Sequence, residues 1–192
     1  ADKVIQTLGK KSRLRMPEFR AEKTEIDAEC EKLVKSIPEY ILAKADYTRN
    51  ERLFPADAAI FGTNPLSLAH GACGVAYAMK KMTGSVSSTV TNWILDRNKN
   101  PELYPPGLYM GLAGIAWGML EIDLTDEAEK VMQSNFDHRL LHESANLYYG
   151  ISGWGLANLK FFARLQNEQY LEKAIEAGDY LVKTLLKDEK GY

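Results

Sequence analysis

Residues 68–76 read LAHGACGVA, and similar stretches recur at residues 108–116 (LYMGLAGIA) and residues 147–155 (LYYGISGWG). Each follows the pattern Leu-x-x-Gly-x-x-Gly, then a bulky apolar residue, then Ala or Gly. We call these stretches the three glycine segments. They are about 40 residues apart, a period typical of stacked supersecondary units. The sequence therefore predicts a protein built from repeated structural units.

The glycines of each segment allow two interpretations. Gly71, Gly74 and Ala78 fall at positions i, i+3 and i+7, which share one face of a helix. A face without side chains lets another backbone approach closely. In the second interpretation, the first glycine lies at the turn that enters the helix, where a positive φ is useful. Both interpretations give the glycines a structural role without chemistry, and the six are Gly71, Gly74, Gly111, Gly114, Gly150 and Gly153.

Composition narrows the classes of function. The 192 residues are 45% hydrophobic and 26% charged, with a formal net charge of -2, which predicts a globular domain with a real core. Nucleic acid is disfavoured as a partner because phosphate binding needs a clustered basic excess, and a membrane is disfavoured because no apolar run approaches the length of a span. Cys30 and Cys73 form no CxxC pair and are expected in the core. With no signal peptide apparent, we expect a reducing, cytoplasmic location.

The order of the segments predicts one helical domain. Residues 1–23 carry a short basic run broken by Pro17 and predict a linker, while residues 24–192 predict the domain. Its first helix should be capped near Thr24 and kinked or split at Pro38. The last helix has a continuous apolar stripe. The stripe consists of Tyr170, Leu171, Ala174, Ile175, Gly178, Leu181, Val182 and Leu185.

Helices with one polar face alternate along the chain with helices that have a face of small residues. This alternation predicts an all-α fold in which the second kind, the GxxG helices, form an inner layer and the first kind an outer layer. Hairpins of this type close into an α/α toroid when there are enough of them. Those present here are too few, so we expect a partial toroid whose apolar edge is available for self-association or another partner.

The three glycine segments, with the preceding stretch LFPAD at residues 53–57, resemble the first three repeats of the LanC-like cyclase domain of class III and class IV lanthionine synthetases (lanthipeptide synthetases). The resemblance covers about residues 50 to 165. It implies that residues 24–192 are the beginning of a cyclase domain and that residues 1–23 link it to a kinase-like domain. It also implies a parent protein with lyase, kinase and cyclase domains.

The activity that the resemblance implies is thioether ring formation. The kinase, using ATP or another nucleotide, would phosphorylate Ser and Thr of a precursor peptide, and the lyase would eliminate phosphate to give dehydroamino acids. The cyclase would add Cys thiols to their double bonds. Zinc is implied in the parent if it is of class IV, held by a Cys, Cys, His set in later repeats. We expect no metal or other cofactor in this segment and expect the segment alone to be inactive.

Position and the resemblance together suggest site residues. His70, Tyr109, Tyr148 and Tyr149 precede the glycines of the inner helices, so they could line the mouth of the ring or simply pack there. Of these, Tyr109 and Tyr148 are expected to line a bowl that binds the peptide. His70 lies in the first repeat and so does not inherit the role of the family's catalytic histidine. Asn146 replaces an acidic residue that the family can have at this position, and an amide cannot act as a general base. His70, Asn146 and Tyr149 are therefore candidates for catalysis without an assigned step.

Other patterns give alternatives. His138 and His142 have the spacing of a shared metal site, although a surface pair at a helix end is favoured over it. A toroidal glycosidase would need a carboxylate pair, such as Glu121 with Asp123 or Glu127 with Glu129, but acids are common at helix ends. A non-catalytic helical module that binds peptides, or completes its ring with another chain, is the main alternative to the cyclase.

Overall fold

The structure is a computed structural model, and it describes residues 23–184. Across that range it contains α-helices, one 3-10 helix and no strand, so the prediction of an all-α fold is confirmed. The predicted linker lies outside the described residues except for Lys23, which begins the first helix. The helices are α1 (Lys23–Ala43), the 3-10 helix (Ala59–Gly62), α2 (Ala72–Thr83), α3 (Ser88–Leu95), α4 (Leu112–Glu121), α5 (Thr125–Ser134), α6 (Ile151–Leu165) and α7 (Glu168–Thr184).

The chain divides within α1, so that residues up to Val34 and residues from Lys35 onward form separate units. Pro38 lies inside α1 without ending it, so the predicted split is wrong. The predicted cap at Thr24 is also wrong because the helix already includes that residue. All packing described below belongs to the second unit.

The helices of the second unit pack as hairpins. Each glycine segment leads into α2, α4 or α6, and these three helices pack side by side in chain order. Each of the intervening helices packs on the helix before it, α3 on α2, α5 on α4 and α7 on α6. This alternation follows the predicted order of the two kinds of helix. The chain therefore reuses one packing solution along its length, as repeat proteins do.

Buried aromatic residues join the turn after α5 to α6 and α7. Phe136 meets the rings of Trp154 and Tyr170 edge-on at centroid distances of 6.4 and 5.8 Å, and Tyr170 also lies 5.1 Å from Phe161. The Tyr170 hydroxyl donates a hydrogen bond to the Glu129 carboxylate at 3.0 Å. Burial and that hydrogen bond raise the pKa of Tyr170. The cluster supplies most of the bulk of the core at this end of the chain.

The two cysteines differ in their surroundings. Cys73 is buried against α4, and burial raises its pKa to about 12, so it remains a neutral thiol. Cys30 is exposed on α1, so its predicted place in a core is wrong. The neighbouring apolar residues Ile26 and Leu33 of α1 are exposed as well.

The apolar stripe of α7 is only partly buried. Tyr170 and Ala177 face the core, whereas Ile175 and Val182 are 55% and 76% exposed. The predicted apolar stripe is therefore buried only in part, and Leu185 lies outside the described residues. On α6, Leu156 and Leu159 are exposed, and they line a groove with Ala174, Gly178 and Leu181 of α7. The surface between α6 and α7 is consequently apolar and uncovered by the described residues.

Candidate functional site

The three glycine segments fold in the same way. In each, the residue after the first glycine donates its backbone N–H to a carbonyl seven residues earlier and so closes a loop. These bonds are Ala72 to Pro65 at 2.8 Å, Leu112 to Pro105 at 2.9 Å and Ile151 to Ser144 at 2.9 Å. The loop therefore has the same geometry at the beginning of α2, α4 and α6.

The glycines are required by close approach of backbone. The first glycine of each pair precedes the helix in extended conformation, with φ of -106° at Gly71 and -117° at Gly111. It stands at the turn that enters the helix, as the second interpretation predicts, but its φ is negative, and it does not share the helix face of the second glycine. A Cβ on Gly114 would overlap the Leu108 carbonyl, because loop and helix touch there. The equivalent overlaps are Gly74 with Leu68 and Gly153 with Leu147.

Backbone hydrogen bonds connect each loop to the next. Ala69 N–H donates to the Tyr109 carbonyl at 3.0 Å, and Met110 N–H donates to the Tyr148 carbonyl at 3.1 Å. Gly107 N–H donates to the Tyr149 carbonyl at 3.0 Å. Main-chain atoms thus hold the loops in register, and the side chains of Tyr109, Tyr148 and Tyr149 are left exposed.

Three tyrosines from these loops form one aromatic surface. The ring centroids of Tyr109 and Tyr148 are 4.9 Å apart, and those of Tyr148 and Tyr149 are 6.2 Å apart. Their exposed fractions are 37%, 52% and 50%. We call Tyr109, Tyr148 and Tyr149 the tyrosine surface. Such a surface offers apolar contact area and hydroxyl groups at low entropic cost, which suits binding of a peptide.

The other two predicted site residues have structural partners. Asn146 uses both ends of its amide, since Nδ2 donates to Ser144 Oγ at 2.7 Å and Oδ1 accepts from Tyr149 N–H at 2.9 Å. It therefore orients the loop that carries Tyr149. His70 is exposed, and the ring pairs of the tyrosine surface do not include it. The structure brings the three tyrosines and Asn146 together and assigns no proton transfer to either candidate.

The sequence patterns did not predict the role of Arg52. Its side chain is 1% exposed, and it donates to backbone carbonyls of the loop before α2, at 2.9 Å to His70 and 2.7 Å to Thr63, and also to Ile60. Asn64 in the same loop donates to the Met110 carbonyl at 2.9 Å. Burial lowers the pKa of Arg52. The guanidinium holds the first loop in the shape that joins it to the second.

Charged residues occupy the opposite end of the same helices. Glu121 of α4 is bonded to Lys160 at 2.5 Å and lies 3.6 Å from Lys81. Asp123 is paired with Lys80 and lies 3.9 Å from Arg164. We call these six residues the charged cluster. Burial alone raises the pKa of Glu121, but the hydrogen bond from Lys160 and the charges of Lys160, Lys81 and Arg164 outweigh it, so the pKa is lowered.

These contacts bear on the carboxylate pairs considered for a glycosidase. Glu121 and Asp123 are paired with bases from α2 and α6. Glu127 is paired with Lys130, and Glu129 accepts from Tyr170. All four carboxylates are therefore engaged in structural contacts.

His138 and His142 have separate roles. His138 is 6% exposed, and its Nε2 lies 2.9 and 2.8 Å from the carbonyls of Pro101 and Tyr104. Its Nδ1 accepts from Leu140 N–H at 3.0 Å, so both nitrogens are used. The predicted surface pair is wrong for His138, which fastens a loop. His142 packs on Tyr180 at 4.5 Å between centroids.

Among residues 23–184, no three His, Cys, Asp or Glu side chains are grouped so that they could hold a metal ion. None of the helices in this range combines the length and the apolar character that crossing a membrane requires.

Comparison with known proteins found one curated relative of note. The chain is 38% identical over 120 residues to "Probable SapB synthase" of Streptomyces coelicolor (strain ATCC BAA-471 / A3(2) / M145). The aligned part is 61% of this chain and 13% of that protein, so the chain spans a small part of its relative's length. No family model and no solved structure matches the chain.

Proposed function

We propose that this chain is part of the cyclase domain of a lanthionine synthetase and that it contributes to binding the precursor peptide during thioether ring formation. The observation that carries the proposal is the 38% identity over 120 residues to a probable SapB synthase. The relative's name agrees with an enzymatic parent, and the resemblance of the glycine segments points to the same class of enzyme. The whole activity would belong to a longer protein.

The proposed reaction is a Michael-type addition. The sulfur of a Cys thiolate forms a bond to the β-carbon of a dehydroamino acid, and the resulting enolate takes a proton at its α-carbon. The proposed contribution of this chain is to hold the peptide on the tyrosine surface, so that thiol and acceptor meet in one orientation. His70 and Asn146 receive no step, and we expect the segment alone to be inactive.

The parent's cofactors remain proposals. If the parent is of class IV, zinc would favour the thiolate form of the substrate cysteine. Residues 23–184 offer no group of three ligands, so no step of this chain is assigned to zinc. ATP or another nucleotide would serve an upstream kinase-like domain. The proposed partners are a precursor peptide and the upstream kinase and lyase domains, and the proposed location is the cytoplasm.

The proposed arrangement of this region is an arc of an α/α toroid with α2, α4 and α6 as inner helices. The side-by-side packing of those helices supports it. In that arrangement the apolar surface between α6 and α7 would be covered by the following hairpin of the ring.

A second function is favoured by that same surface. Leu156 and Leu159 of α6 are each 45% exposed, and they line an apolar groove with Ala174, Gly178 and Leu181 of α7. A non-catalytic peptide-binding or assembly module that completes its ring with another chain would cover them at the interface. Light scattering separates the two functions. An assembly module should form a stable oligomer, whereas a cyclase domain within its full-length parent needs no oligomer to complete its ring.

The direct test of the cyclase uses the complete product of the gene that encodes this chain. The substrate is a synthetic peptide with one dehydroalanine and one cysteine, and the free thiol is trapped with N-ethylmaleimide at intervals and counted by mass spectrometry. We expect the complete product to remove the thiol at least about tenfold faster than buffer, an acceleration that orientation alone can supply. Tandem mass spectrometry should find the thioether.

The control is the 192-residue chain alone, which should leave the thiol at the rate found in buffer. The peptide should be one that cyclises slowly in buffer alone. If the complete gene product then leaves the thiol reactive, the cyclase proposal is wrong and the assembly module is favoured.

A further inference from the structure

A cavity of about 500 Å³ lies between the end of α1, the loop after Leu53 and α2. It is separate from the tyrosine surface and shares no residue with it. Pockets that hold small ligands or peptide side chains have volumes of about 300–1,000 Å³, so this cavity is large enough for a bulky side chain. Its lining includes Tyr40, Ile41, Lys44, Phe54, Ala56 and Val75, and we call it the Lys44 pocket.

The pocket is held open by fixed backbone. Asp46 N–H donates to the Leu53 carbonyl at 2.8 Å, which ties the chain beyond α1 to the loop. Leu53 itself is fully buried, and Leu42 and Phe54 pack against the core. A ligand would therefore enter a preformed site and would not have to order it.

Lys44 gives the pocket its charge. Its Nζ lies 5.7 Å from the centre of the Tyr40 ring, and none of the ion pairs formed by the described residues includes Lys44. A cation at the rim of an apolar cavity complements a ligand with an apolar body and an anionic group beside it. Outside the cavity, Ile37 precedes Ile41 by one turn of α1 and is 42% exposed, so the apolar surface continues along the helix.

We propose that the Lys44 pocket binds a peptide segment in which a bulky apolar residue is followed by Asp or Glu. The apolar side chain fills the cavity between Phe54 and Val75, and the carboxylate faces Lys44. A peptide is chosen over a free acid because the apolar surface extends past the cavity to Ile37, where a neighbouring side chain of the same peptide can lie. Resting on the proposed function, the peptide would be the precursor, held here at a second point.

The test measures binding of short fluorescein-labelled peptides to the full 192-residue chain by anisotropy. The first probe contains Leu-Leu-Glu within a Gly/Ser sequence, the second contains Leu-Leu-Gln, and the third contains Ser-Ser-Glu. We expect the Leu-Leu-Glu probe to bind about two- to fivefold more tightly than the Leu-Leu-Gln probe, the range of an exposed ion pair. The Ser-Ser-Glu probe should bind at least about tenfold more weakly, since it cannot fill the cavity.

Variants locate the binding. Lys44→Met should make the Glu and Gln probes bind equally, while Lys35→Met, a matched exposed lysine of α1 outside the pocket, should change neither. Ala56→Trp places a large ring in the cavity from an exposed loop position and should weaken the Leu-Leu-Glu probe at least about tenfold. Circular dichroism melting checks that each variant folds as the parent does.

Four results would overturn the proposal. They are equal binding of the Glu and Gln probes by the unmodified chain, full binding by the Ala56→Trp variant, binding of decanoate without binding of any peptide, and dimerisation that Ala56→Trp abolishes. Of these, binding of decanoate would identify a free acid as the ligand of the pocket, and dimerisation would identify a second copy of the chain. Anisotropy measures binding and requires no ring formation. The binding test of the Lys44 pocket can therefore succeed while the cyclase assay fails, or fail while the cyclase assay succeeds.

Discussion

The two ends of α2, α4 and α6 are stabilised by different interactions. At the beginning of these helices the loops are joined by backbone hydrogen bonds, and the side chains of Tyr109 and Tyr148 are free to face solvent. At the other end the helices are joined by side chains, and Glu121 is shared between Lys81 and Lys160.

This contrast separates binding from stability. Where backbone hydrogen bonds hold the loops, side chains can be substituted without changing the shape of the surface. Where ion pairs hold the helices together, removal of either charged residue of a pair lowers the stability of the protein. Substitutions of the tyrosines should therefore alter ligand binding alone, and substitutions in the charged cluster should alter stability in a pH-dependent way. The predictions that follow run from the largest expected change in stability to the smallest.

Arg52 is the side chain on which the backbone-linked end depends most. Arg52→Met should lower the free energy of unfolding by about 3–5 kcal/mol, because three partly buried carbonyls lose a buried donor and each unpaired group costs about 1–3 kcal/mol. Urea denaturation measures the change. Arg139→Met is the matched control, since Arg139 is an exposed arginine paired with an exposed carboxylate, and it should change little. A mild effect of Arg52→Met would mean that the loop holds its shape without the guanidinium.

Gly114 tests whether close approach explains the glycine segments. Gly114→Ala should cost about 2–4 kcal/mol, because the methyl group meets the Leu108 carbonyl and main chain must move. Gly178→Ala is the matched control on an open helix surface, where nothing lies near the added Cβ. It should stabilise the chain by up to about 1 kcal/mol through helix propensity. Equal effects of the two substitutions in thermal melts would refute the packing explanation.

Glu121 gives the charged end its pH dependence. Its pKa is lowered from an ordinary value near 4.5, so the folded state favours the carboxylate. The stabilisation is complete above about pH 4.5 and is lost as the pH falls through the lowered folded value. Glu121→Gln should cost about 1–2 kcal/mol at pH 7, and the cost should become smaller as the pH falls below about 4.5.

Urea denaturation between pH 3 and pH 7 measures this difference. Glu102→Gln, an exposed carboxylate in a pair with exposed Arg139, is the control and should leave the pH profile unchanged. A Glu121→Gln deficit that is the same at every pH would show that the contribution of Glu121 is packing and that the lowered pKa is not its source.

Tyr148 should matter least for stability. Its ring is half exposed and its loop is held through its carbonyl, so Tyr148→Ala should change the free energy of unfolding by no more than about 0.5 kcal/mol. A larger loss in a urea melt would show that the ring contact with Tyr109 supports the loop, and the contrast between the two ends would fail.

The sequence predicted the parts of the fold that depend on neighbouring residues. The glycine segments located the beginnings of α2, α4 and α6, and the structure ends α2 directly before Gly84. Gly84 has a φ of 80°, the left-handed conformation that favours glycine after a helix. The two glycines of a segment were harder to interpret, because the group that excludes a Cβ is a carbonyl in a loop whose path the pattern does not reveal.

Contacts between distant residues could not be predicted. Arg52 and the carbonyls that it binds belong to a loop whose sequence has no periodicity. The position of a charged residue directly before an apolar run was a signal that could have identified Arg52. His138 appeared to belong on a surface because spacing says nothing of the loop that covers it. Glu121 appeared to be an ordinary acid at a helix end, and its bases come from two other helices.

The central claim is that the tyrosine surface binds the peptide whose thiol is added. The most direct measurement compares the thiol-trapping rate for the complete gene product, its Tyr109→Ala/Tyr148→Ala variant and a Tyr47→Ala control at limiting peptide. We predict that the double variant is slower by about fivefold or more, the loss expected of two aromatic anchors, with the saturated rate retained. Tyr47 is exposed and lies outside the tyrosine surface, so Tyr47→Ala should leave the rate unchanged. Equal rates for all three proteins would contradict the claim.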